Sequence, residues 1–280
     1  MFIDAIIEIF SHSFMVRALI TGLFISITAS ILGVSLVLKR YSMIGDGLSH
    51  VGFGALAIST ALGFAPLVVA VPVVIIAAFF LLRLSNNAKT KGDAAIALIS
   101  TSSLAFGVLA VSLSGANSDL NSYLFGSIIS VSKLDMYLSV ALSALVVVIY
   151  SLLYNRIFAV TFDEDFTSAT GTNTGAYNML IANLTAFTVV LGMRVLGALL
   201  ISSLIIFPCL TAMRVFKTYK SVVICACVLS AVTFLVGLVA SFMLKTPTGA
   251  TIVLANLIAY LVFFVIGKAR GKIHIKAKGA

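Results

Sequence analysis

The chain has 280 residues, of which 61% are hydrophobic and only 10% are charged, and its formal net charge is +9. An average soluble domain carries about 25% charged residues, so a water-soluble protein could not cover this much apolar surface. The composition therefore excludes a soluble enzyme, a nucleic-acid-binding protein and a disordered chain. It indicates a polytopic membrane protein whose lysines and arginines lie mainly in cytoplasmic loops.

The first segment, residues 1–14, is predicted to be a short helix lying in the outer membrane interface. Phe2, Ile6, Phe10 and Phe14 recur every four residues, opposite the two acidic residues of this segment. Such an amphipathic spacing is typical of a helix that lies in the interface plane rather than crossing the membrane.

Apolar segments long enough to span the membrane follow, since a helix needs about 20 apolar residues to cross the hydrocarbon. They are predicted at 15–38, 43–62, 66–84, 94–114, 135–157, 177–193, 195–213, 221–244 and 250–267. Segment 43–62 is the weakest, because it contains Asp46, Ser49 and His50. The sequence thus predicts one all-α transmembrane domain over residues 1–280, with nine spans, or eight if one segment is re-entrant.

The basic residues orient this bundle. If the C-terminus is cytoplasmic, only four of the 18 basic residues lie outside: Arg17, Lys133, Arg194 and Lys245. This asymmetry predicts an external N-terminus, nine crossings and a basic cytoplasmic tail at 268–280, next to the anionic lipids of the inner leaflet.

Segment 42–50 carries a polar stripe. Ser42, Asp46, Ser49 and His50 fall at i, i+4, i+7 and i+8, on one face of a helix. An aspartate at the centre of a membrane helix costs about 2.5–3.5 kcal/mol even on the mildest scale, so it is rarely present without a pathway or a partner.

Asp46 and His50 are four residues apart and can therefore reach one divalent cation. A carboxylate oxygen with an imidazole nitrogen suits zinc, manganese or iron. The alternative is that the two side chains only hydrogen-bond each other or the backbone. Two ligands fall short of the four that a zinc site usually has, and a symmetric dimer would supply four.

Three of the nine acidic residues occur together, in a loop on the basic side of the bundle: Asp163, Glu164 and Asp165. Acidic residues stabilise the first turn of a helix, and Gly171 is suited to end one. We expect a short amphipathic helix at 162–171, within a cytoplasmic loop at 158–176, with Phe162 and Phe166 on one face. It is a candidate docking element for a cytoplasmic partner, and a solvated loop with ordinary caps is the alternative.

Motifs for ATP binding and metalloprotease chemistry are missing. The sequence contains neither a GxxxxGK[ST] loop nor an HExxH motif. An energised transporter built on this chain would therefore need its ATPase on a separate subunit, and the chain itself is expected to be a transport subunit rather than an enzyme.

Several motifs carry a resemblance to a known family: Met43-Ile44-Gly45-Asp46 with Leu48-Ser49-His50, Tyr123-Leu124-Phe125-Gly126, Phe162-Asp163-Glu164, Leu196-Gly197-Ala198-Leu199-Leu200-Ile201 before Pro208, and Thr246-Pro247-Thr248-Gly249-Ala250. Together, over about residues 14–267, they resemble the integral membrane permeases of bacterial ABC importers for zinc, manganese and iron. The zinc permeases are the most similar.

The resemblance implies a permease homodimer in the bacterial plasma membrane, bound to two cytoplasmic ATPase subunits and an extracytoplasmic metal-binding protein. It implies that the 162–171 loop is the coupling helix that enters the ATPase. It also implies that Asp46 and His50 lie in the translocation path. The transported metal, zinc or manganese, would be bound transiently, with no permanent cofactor.

Three other classes remain as alternatives. A proton-coupled secondary metal transporter and an aspartyl intramembrane protease would both need more intramembrane acids than this sequence offers. An ABC permease for a metal chelate, such as a cobalamin or a siderophore, would not call for a paired Asp46 and His50.

Overall fold

The structure, a computed structural model, describes residues 13–85, 92–114, 124–126 and 131–278, and these residues contain no strand. The predicted interfacial helix at 1–14 lies almost wholly outside them. The helices bounded within them are α1 Ser13–Leu38, α2 Ser42–Ala61, α3 Pro66–Ser85, α4 Gly92–Ser114, α5 Lys133–Leu152, α6 Tyr154–Phe162, α7 Glu164–Ala169, α8 Thr174–Leu196, α9 Ala198–Met213, α10 Tyr219–Leu244 and α11 Thr248–Lys278.

Each predicted span overlaps one of these helices, and the span predicted at 135–157 also runs into a second. In the described part of the chain, seven helices are long and apolar enough to cross a membrane, namely α1, α3, α4, α5, α8, α10 and α11. Helix α9 is apolar but has only 16 residues, which rise about 24 Å, less than the hydrocarbon thickness of about 30 Å. Helix α2 is long enough, but its polar residues make it less apolar than the seven. The all-α transmembrane bundle predicted from sequence is confirmed.

The single helix predicted at 135–157 is wrong at its C-terminal end. Helix α5 begins at Lys133, because Ser132 and Asp135 form a capping box in which each side chain accepts from the other's backbone N–H. It ends at Leu152, and α6 begins at Tyr154 after a break at Leu153. The 20 residues of α5 already rise about 30 Å, so the chain has crossed the hydrocarbon when it reaches the break.

The last helix is longer than predicted. Helix α11 continues beyond the expected end of the span at residue 267 and reaches Lys278. The basic tail predicted at 268–280 is therefore largely a helical extension of the last span.

Two long helices lie at the centre of the bundle. In α1 and α8 the most apolar stretch is 72% and 67% buried, against 17% in α11. Helix α1 packs against α5, α8, α9 and α10, whereas α2 packs mainly against α3 and α4 on one flank and against α8 and α9 on the other. Helix α2 thus lies between a peripheral helix pair and the core.

Helices α2 and α9 run antiparallel. Gly45 lies against Ile205, where an added Cβ would be 3.0 Å from the Ile205 side chain, and Ser49 Oγ is 2.9 Å from Ser202 Oγ. Since the residue number rises along α2 as it falls along α9, the two helices pass in opposite directions. The polar half of α2 therefore lies beside the stretch of α9 that contains Ser202 and Ile205.

Three loops meet at the end of the bundle where α8 turns into α9. Gly197 has φ +87°, and a Cβ there would be 2.4 Å from the backbone nitrogen of Gly126. A Cβ on Gly249 would be 2.5 Å from the carbonyl oxygen of Phe125. The contacts are between backbones, so only glycine fits at these positions. Three of the motifs that carry the family resemblance thus form one junction.

A glycine contact between α2 and α4 provides a stability prediction. A Cβ at Gly107 would be 2.8 Å from the Cα of Gly54, so Gly107→Ala must push the two helices apart. We expect it to lower the free energy of unfolding by about 1–3 kcal/mol, as overpacking does. Thermal unfolding in detergent measures the effect.

Gly175→Ala is the matched control. A Cβ there meets only Asn173 Oδ1, at 3.5 Å, and alanine is the better helix former. This variant should be neutral or slightly stabilised, and an equal loss in both variants would contradict the close α2–α4 contact.

Candidate functional site

The polar stripe predicted on α2 divides into two parts. Ser42, Asp46 and His50 are half-buried and follow one another at intervals of four residues. Ser49 is fully buried; its hydroxyl donates to the Asp46 carbonyl oxygen at 2.7 Å and lies 2.9 Å from Ser202 Oγ. Ser49 therefore holds α2 to α9, and the stripe that remains open consists of Ser42, Asp46 and His50.

Asp46 and His50 are close but not hydrogen-bonded to each other. His50 Nε2 is 3.7 Å from Asp46 Oδ2, beyond the usual limit of about 3.2 Å for such a bond. Two ligands at about 2.0–2.1 Å from a tetrahedral metal would be about 3.4 Å apart. The separation thus suits two ligands of one ion better than a direct hydrogen bond.

The surroundings of His50 point the same way. Its Nδ1 is buried and has no hydrogen-bond partner, which is uncommon for a buried polar atom in a native structure. The side chains of His50 and Asp46 are 31% and 35% exposed, so the pair opens onto the surface of the protomer.

One protomer supplies an incomplete ligand set. Among the residues that the structure describes, no group of three or more His, Cys, Asp or Glu side chains could hold a metal ion. Asp46 and His50 are therefore two ligands on an open surface, and further ligands would have to come from a second copy, from water or from residues outside the described ranges.

The acidic segment is built differently from the single helix predicted at 162–171. Phe162 ends α6, and Asp163 is extended and caps α7, its Oδ1 accepting from the Phe166 N–H at 2.9 Å. Helix α7 ends at Ala169, and Gly171 follows with φ +83°. The prediction of a helix within this loop and of a stop at Gly171 is confirmed, but its start is wrong because Asp163 breaks the helical backbone.

Glu164 is bound to the helix bundle. Its Oε2 is 2.7 Å from Lys39 Nζ, just after α1, and its Oε1 accepts from Asn178 Nδ2 in α8 at 2.7 Å. Lys39 also donates to Asn178 Oδ1, and its side chain is only 7% exposed. The three side chains form a closed ring, hereafter the Lys39–Glu164–Asn178 ring, that joins α7 to both central helices.

Apart from Glu164 and the buried Thr167, the acidic segment is largely exposed. Phe162 and Phe166 are 58% and 67% exposed, and Asp165 is exposed as well. The Phe162 ring lies over Phe158 and Tyr219, with centroids 4.9 and 5.8 Å away. Glu164 thus packs against the bundle, whereas Phe166 and Asp165 are exposed on the surface of the protomer.

The family model for the ABC 3 transport family matches residues 11–267. The chain belongs to this family. The resemblance found in the sequence is therefore confirmed, and the chain is a multi-pass membrane protein of the transporter family rather than a member of an enzyme family.

Individual relatives of this ABC 3 family chain cover nearly its whole length. The manganese import system permease protein ScaB of Streptococcus gordonii is 29% identical over 95% of both chains. The high-affinity zinc uptake system membrane protein ZnuB of Haemophilus influenzae is 30% identical over 85% of this chain and 92% of its own. The solved structure of PsaBC from Streptococcus pneumoniae in complex with Fab is 27% identical, with a TM-score of 0.85 over 94% of this chain and 95% of that one.

Several polar contacts of this ABC 3 family chain were missed by sequence reasoning. Asp135 is 5% exposed and pairs with Arg194 at 2.8 Å. The hydroxyls of Ser35, Tyr150 and Tyr219 form a buried cluster with separations of 3.1, 3.0 and 2.5 Å. Only Asp135 had a local signal, the Ser-x-x-Asp capping pattern; the other contacts join residues far apart in sequence.

The Asp135–Arg194 pair yields a second stability prediction. Arg194→Gln leaves a buried carboxylate without its cation, so we expect a loss of about 1–3 kcal/mol in the free energy of unfolding. The double variant with Asp135→Asn should recover part of this loss, because a neutral amide needs no counter-charge. Thermal unfolding of the single and double variants measures the coupling, and strictly additive losses would contradict it.

Proposed function

We propose that this chain is the membrane permease of an ATP-driven importer for a divalent transition metal, with Asp46 and His50 lining the path of the ion. The observation that carries the proposal is the half-exposed carboxylate–imidazole pair, 3.7 Å apart, in a helix that is otherwise almost free of charge. Because a membrane aspartate is costly, an Asp46 carboxylate that accepts no hydrogen bond from the described residues favours a role in transport.

The cargo is proposed to be zinc, with manganese and iron as competing ions. An oxygen and a nitrogen ligand suit all three metals. The relatives named for manganese and zinc are 29% and 30% identical to this chain, so identity does not separate the two metals. The choice of zinc rests on the sequence resemblance of the run from Gly197 to Pro208 to zinc permeases.

The path is proposed to be completed by a second permease protomer. The open face of α2 presents two ligands, and a two-fold axis next to it would present four. A site built from two surfaces can bind an ion while they are together and release it when they separate. Transport requires this kind of weak, transient binding.

The remaining partners are proposed to lie on opposite sides of the bacterial plasma membrane. An ATPase subunit would bind the α6–α7 segment on the cytoplasmic side, and a metal-binding protein would dock at the outer end, where α8 turns into α9. In this proposal the N-terminus lies outside and the basic C-terminal extension inside, an orientation that the distribution of basic residues favours.

The metal path is tested by removing each ligand. Asp46→Asn removes the charge and keeps the shape, and His50→Ala removes the nitrogen. Each variant should reduce uptake of radioactive zinc at least 10-fold in vesicles that contain the complete complex and internal ATP. Expression should stay near normal, since neither side chain makes a hydrogen bond on which the bundle depends.

His274→Ala, the same change in the C-terminal extension, is the control and should transport normally. Normal uptake by Asp46→Asn or by His50→Ala would overturn the path. Uptake by the chain without any ATPase would favour the proton-coupled class instead. Competition between zinc and manganese in the same vesicles then identifies the preferred ion.

The coupling role is tested with two variants that separate the two faces of α7. Phe166→Ala removes an exposed ring and should weaken co-purification with the ATPase subunit. Glu164→Gln breaks the charge pair inside the Lys39–Glu164–Asn178 ring and leaves the exposed face unchanged. It should keep the ATPase bound but lower the metal transported per ATP hydrolysed several-fold. If both variants assemble and transport as the wild type does, the loop is only a linker.

A further inference from the structure

An apolar groove runs between α10 and α11 at the end of the bundle where α9 finishes. It encloses about 550 Å³, within the range of about 300–1,000 Å³ typical of small-molecule sites. The lining comes from both helices and from the connection before α10, and includes Phe216, Ile224, Val228, Phe263 and Ile266. Apart from Ser221 and the Cys225 thiol, the groove presents only hydrocarbon.

The length of the groove matches one leaflet of a membrane. Its lining along α10 runs from Ser221 to Leu229, a rise of about 12 Å. Half of a hydrocarbon core is about 15 Å thick. A groove that starts at the first turn of the helix and has this depth is suited to an acyl chain.

Basic residues are neighbours of the lining residues at the end of the groove where α9 finishes. Arg214, Lys217, Lys220 and Lys268 are all exposed. A Cβ on Gly267 would be 2.6 Å from the Arg214 carbonyl oxygen, so the turn of α11 that precedes Lys268 lies against the end of α9. No acidic residue follows Asp165 anywhere in the sequence, so nothing in this part of the chain neutralises these charges.

Arg214 is held in place by aromatic rings. Its guanidinium carbon is 5.3 Å from the centre of the Tyr260 ring and 5.0 Å from that of Phe264, and it donates to the Tyr260 hydroxyl. A guanidinium has five donors. The remaining donors stay available to an anion, at little cost in side-chain entropy because the group is already fixed.

Lys220 occupies an unfavourable position unless an anion is near. It lies in the first turn of α10, the positive end of the helix dipole, and α10 begins without a side-chain cap. A cation there is disfavoured, whereas an anion would be stabilised both by the lysine and by the free backbone N–H groups. This local arrangement calls for a negative group at the mouth of the groove.

We propose that this groove is a binding site for an anionic phospholipid, with one acyl chain between α10 and α11 and the phosphate at Arg214, Lys217 and Lys220. Basic pockets between membrane helices recognise acidic head groups in this way. The combination of charge and apolar depth favours a lipid over free phosphate, which would not use the groove. It also disfavours a second copy of this chain, whose equivalent surface carries the same positive charge.

The sequence offers a direct test, because the chain contains no tryptophan. Val228→Trp places a single fluorophore in the groove, and Val236→Trp places one two turns further along α10 as the matched control. Both valines are 58% exposed. The full-length variants are reconstituted in phosphatidylcholine vesicles that contain a small fraction of either brominated phosphatidylglycerol or brominated phosphatidylcholine, and quenching by the bromines is compared.

Brominated phosphatidylglycerol should quench Trp at 228 about five-fold more effectively than brominated phosphatidylcholine, as expected from one or more lysine contacts. At 236 the two lipids should quench equally. Lys217→Gln with Lys220→Gln should abolish the preference at 228, whereas Lys245→Gln, the same change at the other end of α10, should leave it unchanged. These surface substitutions should not affect folding.

Three results would overturn the proposal. Equal quenching at 228 by both lipids would show that the groove does not select the head group. A preference of equal size at 236, or one that survives the double lysine variant, would show general enrichment around a basic protein. Absence of quenching by either lipid at 228 would show that another protein surface covers the groove.

Discussion

The hydrocarbon core of the membrane supplies no water, so every polar group within it needs a partner in the protein. The structure meets this demand almost everywhere. Ser35 joins Tyr150 and Tyr219, Ser49 joins Ser202, and most of the other buried hydroxyls bond a carbonyl one turn back in their own helix. Three buried polar atoms of the described residues have no hydrogen-bond partner: Thr21 Oγ1, Asn183 Oδ1 and His50 Nδ1. Of these, His50 is the titratable one, and its Nε2 lies 3.7 Å from the carboxylate of Asp46. A half-exposed carboxylate beside an imidazole with an unpartnered nitrogen has the property expected of a transport site.

The acidic segment is attached to the centre of the bundle. At one end the Lys39–Glu164–Asn178 ring connects α7 to α1 and α8, the two most deeply buried spans. A displacement of α7 therefore acts on the core itself and not on a peripheral helix. Because α1 and α8 both contact α9, and α8 and α9 contact α2, the same packing leads from the acidic segment to the open stripe. Packing contacts of this kind, rather than a chain of charges, are the physical means by which a partner at α7 could alter the site.

The sequence was most informative where one physical rule dominates. Hydrophobic length predicted the positions of the spans, and the cost of a buried charge drew attention to Asp46 and His50. It failed where tertiary contacts decide. Lys39 and Glu164 are 125 residues apart, so no local pattern reveals that they pair. The break at Leu153 lies within an apolar run that hydropathy alone reads as continuous. Asp163 looked like one of several acids in a first turn, although its extended backbone separates two helices.

The glycine junction at the turn between α8 and α9 has a mechanical consequence. Gly126, Gly197 and Gly249 bring three backbones into contact, with no side chain between them that could rotate or repack. The spacing there is set by the van der Waals radii of main-chain atoms, which cannot be compressed. If this end of the molecule opens, the three backbone segments have to separate as rigid bodies. The junction then opens by tilting of the attached helices. Sequence changes that alter this opening should therefore act on the lengths and angles of those helices and leave the three glycines in place.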